Sequence, residues 1–371
     1  VIIGVPKEIK NNEFRVGLIP SSVRELVAHG HRVLVETQAA AGIGLDDTDY
    51  QQAGATLVDS AAEIFARAEL IVKVKEPQPH EIALLRPNQV LFTYLHLAAD
   101  PQQTQALLDS QAICIAYETV EDPHGRLPLL APMSEVAGKL AVQAGAHFLQ
   151  KSQGGRGILL GGAAGVASGK VVIIGAGTVG RHAALMAVGL QADTVVLDTN
   201  LNALHALEAQ FGNRLQTLYS NRDNLEQQLL QADLVIGAAL IPGASAPKLI
   251  TAEHIRHMKT GAVIVDVAID QGGCAETSRP TSHAEPTYTV DGVIHYCVSN
   301  MPGAVPHTSA YALNHATLPY ILALADKGYQ KALLEDPHFR KGLNVCCGQL
   351  THPGVAQSLG LDSINPEIVL A

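Results

Sequence analysis

Tryptophan is absent, and with only six Phe and nine Tyr the aromatics make up 4% of the 371 residues. The core of this chain must therefore be mostly aliphatic. Charge is sparse as well, at 16% against 47% hydrophobic residues, which excludes a disordered chain and indicates a large buried interior. Positive charge is the scarcer sign: 25 Lys and Arg face 35 Asp and Glu, a formal net charge of −10. With no basic run, the balance argues against nucleic acid as a partner. No uninterrupted apolar run reaches the roughly 18 residues of a spanning helix, so no membrane partner is expected. The opening Val1-Ile-Ile-Gly-Val-Pro-Lys-Glu8 carries charge early and lacks the apolar stretch of a secretory leader, so a cytoplasmic location is expected. The cysteines, at 114, 274, 297, 346 and 347, are odd in number and lack metal-type spacing. They read as reduced thiols. Cys346 and Cys347 are too close for an ordinary structural bridge, and a redox role for that pair is a secondary reading.

What the chain does have is Val171-Val-Ile-Ile-Gly175-Ala-Gly177-Thr-Val-Gly180, four β-formers running into Gly-x-Gly-x-x-Gly, with a helical pattern behind it. Gly175 permits the tight turn, Gly177 presents no side chain to a pyrophosphate, and Gly180 lets helix and strand pack closely. The pyrophosphate then meets free N–H groups at the positive end of the helix. A second β-run ends in Asp198, 18 residues beyond Gly180. A carboxylate there accepts from the adenosine ribose hydroxyls and repels a 2′-phosphate, which favours NAD over NADP.

The length suggests two domains. In the first part, strand-like runs at 2–5, 32–36, 70–74, 90–95 and 112–117 alternate with helical patterns at 21–29, 60–68, 80–85 and 101–110. A long helix follows, about 132–151. The Gly-rich stretch 154–165 has no strand-to-helix context and reads as a hinge or packing loop rather than a second phosphate loop. A second βα series has strands at 171–174, 194–197, 215–219, 234–236 and 262–267, and less distinctly at 288–290 and 294–296. From 305 to about 342 the pattern is helical without a β-run. The expected fold is α/β, two doubly wound, mostly parallel-sheet domains, the second a Rossmann NAD domain inserted into the first. Its boundaries are 1–134 with 305–371 for the substrate (catalytic) domain and 135–304 for the NAD-binding domain.

In open α/β sheets ligands bind beyond the carboxyl ends of the strands. That rule selects Lys75, His96, Glu118 and Asp270, which are expected to converge on one cleft. A base, a cation and two carboxylates beside NAD suggest hydride transfer with proton relay. Each has a plainer alternative. His96 is one of sixteen histidines, Lys75 could be a solvated strand end like Lys73, and Asp270 could cap the turn before Gly272-Gly273. Arg15 would be a surface residue on composition alone.

At these residues the chain resembles bacterial and cyanobacterial alanine dehydrogenases over nearly its whole length. The blocks that carry the resemblance begin with Gly4-Val-Pro-Lys-Glu-Ile-Lys-Asn-Asn-Glu-Phe-Arg15-Val, Val72-Lys-Val-Lys75-Glu-Pro and Leu95-His96-Leu-Ala. They continue through Ala116-Tyr-Glu118-Thr, Leu130-Ala-Pro-Met-Ser134-Glu-Val-Ala-Gly and Gln153-Gly-Gly-Arg-Gly157 to Val265-Asp-Val-Ala-Ile-Asp270-Gln-Gly-Gly-Cys and Asn300-Met-Pro-Gly. The resemblance implies reversible oxidative deamination of L-alanine to pyruvate and ammonia with NAD. It makes Arg15 the bidentate grip on the substrate carboxylate and Lys75 the residue that holds the carboxylate or carbonyl oxygen and polarises the carbonyl. His96 becomes the general acid/base at the carbinolamine hydroxyl, and Asp270 handles protons of the amine, ammonia or water. Imidazole suits its role because it titrates near neutral pH. Hydride leaves Cα to give iminopyruvate, and water then gives carbinolamine and pyruvate. Glu118 and Asn300 join Arg15 and Lys75 as expected substrate contacts. Beside Gly175, Gly177 and Gly180, the implied cofactor contacts are Ser134, Thr178, Val179, Asp198, Ser220, Ala239, Leu240, Val267, Ala268, Ile269, Asp270, Arg279, Val298, Asn300 and Met301. Some relatives carry a metal pair in a C-terminal helix; Ala323 and Lys327 stand at those positions, so no metal site is expected. The family implies a homo-oligomer, commonly a hexamer.

Related saccharopine-type dehydrogenases and the NAD-binding subunit of proton-pumping transhydrogenase share this architecture. A transhydrogenase-like module or an NAD-sensing protein would not need Arg15, Lys75, His96 and Asp270 together. Substrate breadth toward serine or glycine is not legible, since one methyl group discriminates by only about 1–3 kcal/mol.

Overall fold

The computed structural model describes residues 1–239 and 246–371. In chain order the strands are β1 (Ile2–Val5), β2 (Arg32–Glu36), β3 (Thr56–Val58), β4 (Leu70–Val72), β5 (Val90–Thr93), β6 (Ile113–Ala116), β7 (Lys170–Ile174), β8 (Asp193–Asp198) and β9 (Gln216–Tyr219). They continue with β10 (Leu234–Gly237), β11 (Val263–Asp266), β12 (Thr287–Val290), β13 (Val293–Tyr296), β14 (Leu343–Cys346) and β15 (Gln349–Leu350). The chain forms two compact units, residues 1–133 with 305–371 and residues 134–304.

The first unit holds a sheet in the order β15-β14-β6-β5-β4-β1-β2-β3. From β3 to β6 every pairing is parallel. Alternate residues feed two separate cores: Ile3, Val5, Val72, Phe92 and Ile115 lie in one, Leu34, Ile71, Leu91 and Cys114 in the other. Burial on both faces explains the continuous aliphatic runs of these strands. The second unit is ordered β12-β13-β11-β10-β7-β8-β9, with only β12 antiparallel. Both units place their first six parallel strands in the order 3-2-1-4-5-6, so each has a switch point, between β1 and β4 and between β7 and β10. At such a point the loops diverge to opposite faces and open a crevice for a ligand.

Four local expectations are corrected. The runs to 74, 95 and 117 overshoot: β4 stops at Val72, β5 at Thr93 and β6 at Ala116, because Val74, Leu95 and Tyr117 stay buried after the backbone has left the ladder. The short edge strand β3 and the helix Asp47–Gln52 carry too few apolar residues to register as periodic. The long helix spans Ala131–Phe148, and a 3-10 turn, Lys151–Gln153, follows it. The C-terminal segment is not all helical packing: after the helices Pro306–Lys327, Tyr329–Glu335 and Pro337–Arg340 it adds β14 and β15, antiparallel, to the first sheet. Leu343-Asn-Val-Cys346 is only four residues long, and a run that short does not distinguish strand from helix. In the Gly-rich stretch no helix forms, and a Cβ on Gly155 would sit 2.2 Å from the Phe148 carbonyl oxygen.

Candidate active site

In the first unit the loops after β1 and β4 flank the switch point, and they carry Arg15 and Lys75. Arg15 is 2% exposed. Its Nε and Nη2 donate to the two oxygens of Glu13 at 2.7 and 2.6 Å, and its Nη1 lies 3.1 Å from Met133 Sδ. A surface Arg on composition is thus a buried one. Burial pushes the Glu13 carboxyl up, but hydrogen bonds and charge from Arg15 outweigh it and hold the group below its usual value. Lys75 is half-buried, and its amine is pushed down by burial and then by the Arg15 charge. A desolvated amine beside a guanidinium is a site prepared for an anion.

The Lys75 segment is held from three sides. Thr93 Oγ1 donates to the Lys75 carbonyl at 2.9 Å, and Tyr117 Oη donates to the Lys73 carbonyl at 3.0 Å. Lys73 does not end in solvent. Its ammonium is fully buried between Glu81 at 2.9 Å and Glu8 at 3.2 Å, and Glu8 also accepts from the Val74 amide at 2.7 Å. Burial lowers the Lys73 amine, yet the two carboxylates outweigh it and raise it. Glu8 lies on the loop that leads to Arg15, so this buried ion cluster ties the Arg15 and Lys75 loops together. The cluster was not expected from the sequence; the only sign was Lys73 inside an otherwise apolar run.

His96 follows β5 in the left-handed region, φ 53°, and 49% of its side chain is exposed. Its ring lies parallel to Tyr94, 5.9 Å away, while Tyr94 Oη donates to the Leu129 carbonyl at 2.5 Å. Glu118, after β6, accepts from the backbone amides of His96 at 2.6 Å and Leu95 at 3.1 Å. Its oxygen is 4.0 Å from His96 Nδ1. Glu118 therefore fixes the backbone turn that aims His96.

In the second unit, Gly175 has φ 110°, and a Cβ there would meet the Ala238 carbonyl at 2.6 Å. A Cβ at Gly180 would sit 1.8 Å from the Gly175 carbonyl oxygen, whereas at Gly177 it would meet nothing within 4 Å. The helix Thr178–Gly189 has no side-chain cap at Gly177, so among the described residues the first-turn amides at Thr178 and Val179 have no side-chain acceptor, and the positive end of the helix dipole lies behind them. Asp198, ending β8, accepts from the Ala176 amide at 2.6 Å and the Asn200 amide at 2.7 Å. A carboxylate offers about four acceptor sites, so capacity for a ribose hydroxyl remains. Ser220 follows β9 and donates its amide to the Asp198 carbonyl at 2.9 Å. Ala239 follows β10 across the switch point, and Leu240 lies outside the described residues. These residues fit a dinucleotide: an uncapped helix start, an open glycine and a carboxylate at the second strand end.

After β11 the chain makes a 3-10 turn, Val267–Gln271, with Ala268 and Ile269 buried and Asp270 exposed. Asp270 makes no side-chain hydrogen bond to a described residue; the amides of Gly272 and Gly273 close the turn on Ile269 and Ala268. A capping role for Asp270 is therefore not what the geometry shows. The anchor is Asp266, buried at the end of β11, whose Oδ2 accepts from the amides of Cys274 and Ala275 and from Ser278 Oγ at 2.8, 3.2 and 2.5 Å. The strand-end rule passes over Asp266, because the apolar run reads on to Val267, one residue past the end of β11. Arg279 lies with its guanidinium 4.0 Å over the Tyr288 ring. Val298 is buried, Asn300 has φ 58° and accepts through its carbonyl from His283 Nε2 at 3.2 Å, and Met301 opens a 3-10 turn. Ser134 lies in the first turn of the helix Ala131–Phe148.

A 3-2-1-4-5-6 parallel sheet with this glycine turn defines a doubly wound dinucleotide-binding protein, here joined to a second unit of the same strand order. Comparison narrows the class. The family described as "Alanine dehydrogenase/PNT, N-terminal domain" matches residues 4–137, and "Alanine dehydrogenase/PNT, C-terminal domain" matches 141–353. The chain is 58% identical to the alanine dehydrogenase of Halomonas elongata over 98% of each chain. A solved L-alanine dehydrogenase superposes with a TM-score of 0.95 at 56% identity, covering 97% of this chain and 99% of that one. The transhydrogenase of Sinorhizobium meliloti superposes at 0.82 with 25% identity, covering 95% and 99%. The chain belongs to the alanine dehydrogenase/PNT family, and within it to the alanine dehydrogenase branch.

Proposed function

We propose that this protein catalyses the reversible oxidative deamination of L-alanine to pyruvate and ammonia with NAD. The observation that carries this reading is the 58% identity to an alanine dehydrogenase over 98% of both chains. When bound, NAD supplies the hydride acceptor for Cα. The first-turn amides at Thr178 and Val179, beside Gly177, would hold its pyrophosphate, and Asp198 its adenosine ribose. Arg15, pre-aligned by Glu13, pairs with the substrate carboxylate. Lys75 holds the carboxylate or carbonyl oxygen and polarises the carbonyl. His96 delivers and takes back the proton of the carbinolamine hydroxyl. Asp270, exposed on its turn and without a side-chain hydrogen bond to a described residue, exchanges protons with amine, ammonia or water. We read the enzyme as a cytoplasmic homohexamer of amino-acid catabolism, on its family alone; light scattering on the purified protein tests the assembly.

Purified protein mixed with pyruvate, ammonium and NADH is expected to oxidise NADH in step with alanine formation. Absence of turnover, with NADH still bound, would favour the transhydrogenase-like module or an NAD-sensing protein instead.

Two substitutions probe the binding roles. Asp198→Gly is expected to lower the NAD-over-NADP preference by at least roughly tenfold, through loss of a charged acceptor contributing about 1.5–3 kcal/mol. It should also weaken NAD itself, because Ala176 loses its acceptor in the glycine turn. Comparable wild-type kcat/KM with both cofactors refutes the role. Arg15→Ala is expected to raise KM for pyruvate roughly 10- to 150-fold, from about 1.5–3 kcal/mol of lost charge-assisted bonding. Since it also strips Glu13 of its buried partner, Arg15→Lys is the companion: the charge stays, the fork is lost, and KM should still rise. An unchanged KM in both variants removes Arg15 from the substrate.

A further inference from the structure

The adjacent thiols at the edge of the first sheet take no part in the chemistry above. β14 ends at Cys346, and Cys347 with Gly348 forms the two-residue turn into β15. Along a strand, consecutive side chains point to opposite faces, so neighbouring thiols ordinarily face apart. Here Cys347 has φ 51° and Gly348 φ 80°. The left-handed turn brings Cys347 Sγ to 3.9 Å from Cys346 Sγ. A second two-residue hairpin, between β12 and β13, has Asp291-Gly292 in the same conformation, φ 48° and 80°. Asp, Asn and Gly are the residues such turns favour, for their local hydrogen bonding or lack of Cβ. Cysteine offers neither, so its presence in the first position is not explained by turn chemistry.

The two sulfurs differ in surroundings. Cys347 is exposed, whereas Cys346, Cys114, Cys274 and Cys297 are all buried. Burial and the neighbouring thiol push Cys346 up to about 12. A solute oxidant therefore meets Cys347 first, with Cys346 beside it as the second sulfur.

We propose that Cys346 and Cys347 are a site of reversible oxidation to a vicinal disulfide by hydroperoxides. The Cys347 sulfur attacks the hydroperoxide, the O–O bond breaks, and a sulfenic acid forms while the peroxide leaves as an alcohol. The Cys346 sulfur then attacks the sulfenic sulfur, the S–O bond breaks, and hydroxide leaves with the Cys346 proton as water. Two thiols lose two protons and two electrons, and the hydroperoxide takes up both to become alcohol and water. Adjacent Cα atoms are about 3.8 Å apart, short of the roughly 4.4–6.8 Å of ordinary bridges, so the product is strained and readily reduced. That suits a switch rather than a staple.

The test is oxidation of the reduced, folded protein with a small excess of tert-butyl hydroperoxide. It is followed by unfolding, alkylation, tryptic cleavage after Lys341 and mass spectrometry of peptide 342–371. The expected result is a peptide lighter by two hydrogens, unalkylated at both sulfurs, and restored to double alkylation by dithiothreitol. In Cys346→Ser the two-hydrogen loss should vanish and Cys347 should appear as sulfenic acid trapped by dimedone. In Cys347→Ser, Cys346 should stay fully alkylatable. The proposal is overturned if wild-type Cys347 goes to sulfinic acid or to a cross-link with another chain while Cys346 still alkylates. It is equally overturned if both thiols survive the oxidant.

Discussion

His96→Ala is expected to lower kcat by about 10²–10⁴-fold in both directions, the range for loss of a general acid/base, with NADH affinity unchanged. The backbone at His96 is left-handed, φ 53°, which costs an alanine roughly 1–2 kcal/mol. His96→Asn is the better companion, because Asn tolerates that conformation. The turn should survive in both variants, since Glu118 holds it through the amides of Leu95 and His96 rather than through the imidazole. Steady-state kinetics with a thermal melt separates the two effects. If kcat is unchanged in the Asn variant, the ring serves only its stack on Tyr94 and the proton is carried elsewhere.

Asp270→Asn should produce a loss of similar size, about 10²–10⁴-fold in kcat for both directions. The amide keeps the size of the carboxylate but cannot take up a proton at neutral pH. The fold should not change, since the turn is closed by the amides of Gly272 and Gly273 and anchored by Asp266, not by Asp270. NADH titration and the melting temperature should match wild type. An enzyme that keeps most of its activity would move proton exchange away from Asp270. Glu118 would then be examined first, although its oxygens already accept from two backbone amides.

The strand-end rule points to Lys75, His96, Glu118 and Asp270 from sequence. The structure puts them after β4, β5, β6 and β11. It did not select Arg15. The reason for Arg15 is topological: β1 lies beside β4 in the sheet, so the loops after β1 and β4 flank one crevice at the switch point, and strand order is invisible in one dimension. Glu13 was missed for a related reason, since a charge pair two residues apart reads as solvated until burial at 2% for Arg15 shows otherwise. Lys73 misled in the opposite direction: a lysine in an apolar run looked like a tolerated surface end, and it is the centre of a buried ion cluster with partners 65 and 8 residues away.

The sequence by itself determined the elements whose signal is local. Aliphatic runs buried on both faces specify parallel strands. Gly175 and Gly180 specify a turn that only residues without Cβ can make, and Gly177 leaves open space beside it. Only the tertiary structure decided what depends on partners distant along the chain. It recruited β14 and β15 to the first sheet, because a four-residue strand has no stability without an edge to pair with. It turned Arg15 and Lys73 inward, because their charges are tolerable in the core only where Glu13, Glu8 and Glu81 arrive to compensate them. It set Cys347 beside Cys346, because that contact follows from one left-handed residue, and cysteine at that position carries no signal of its own conformation.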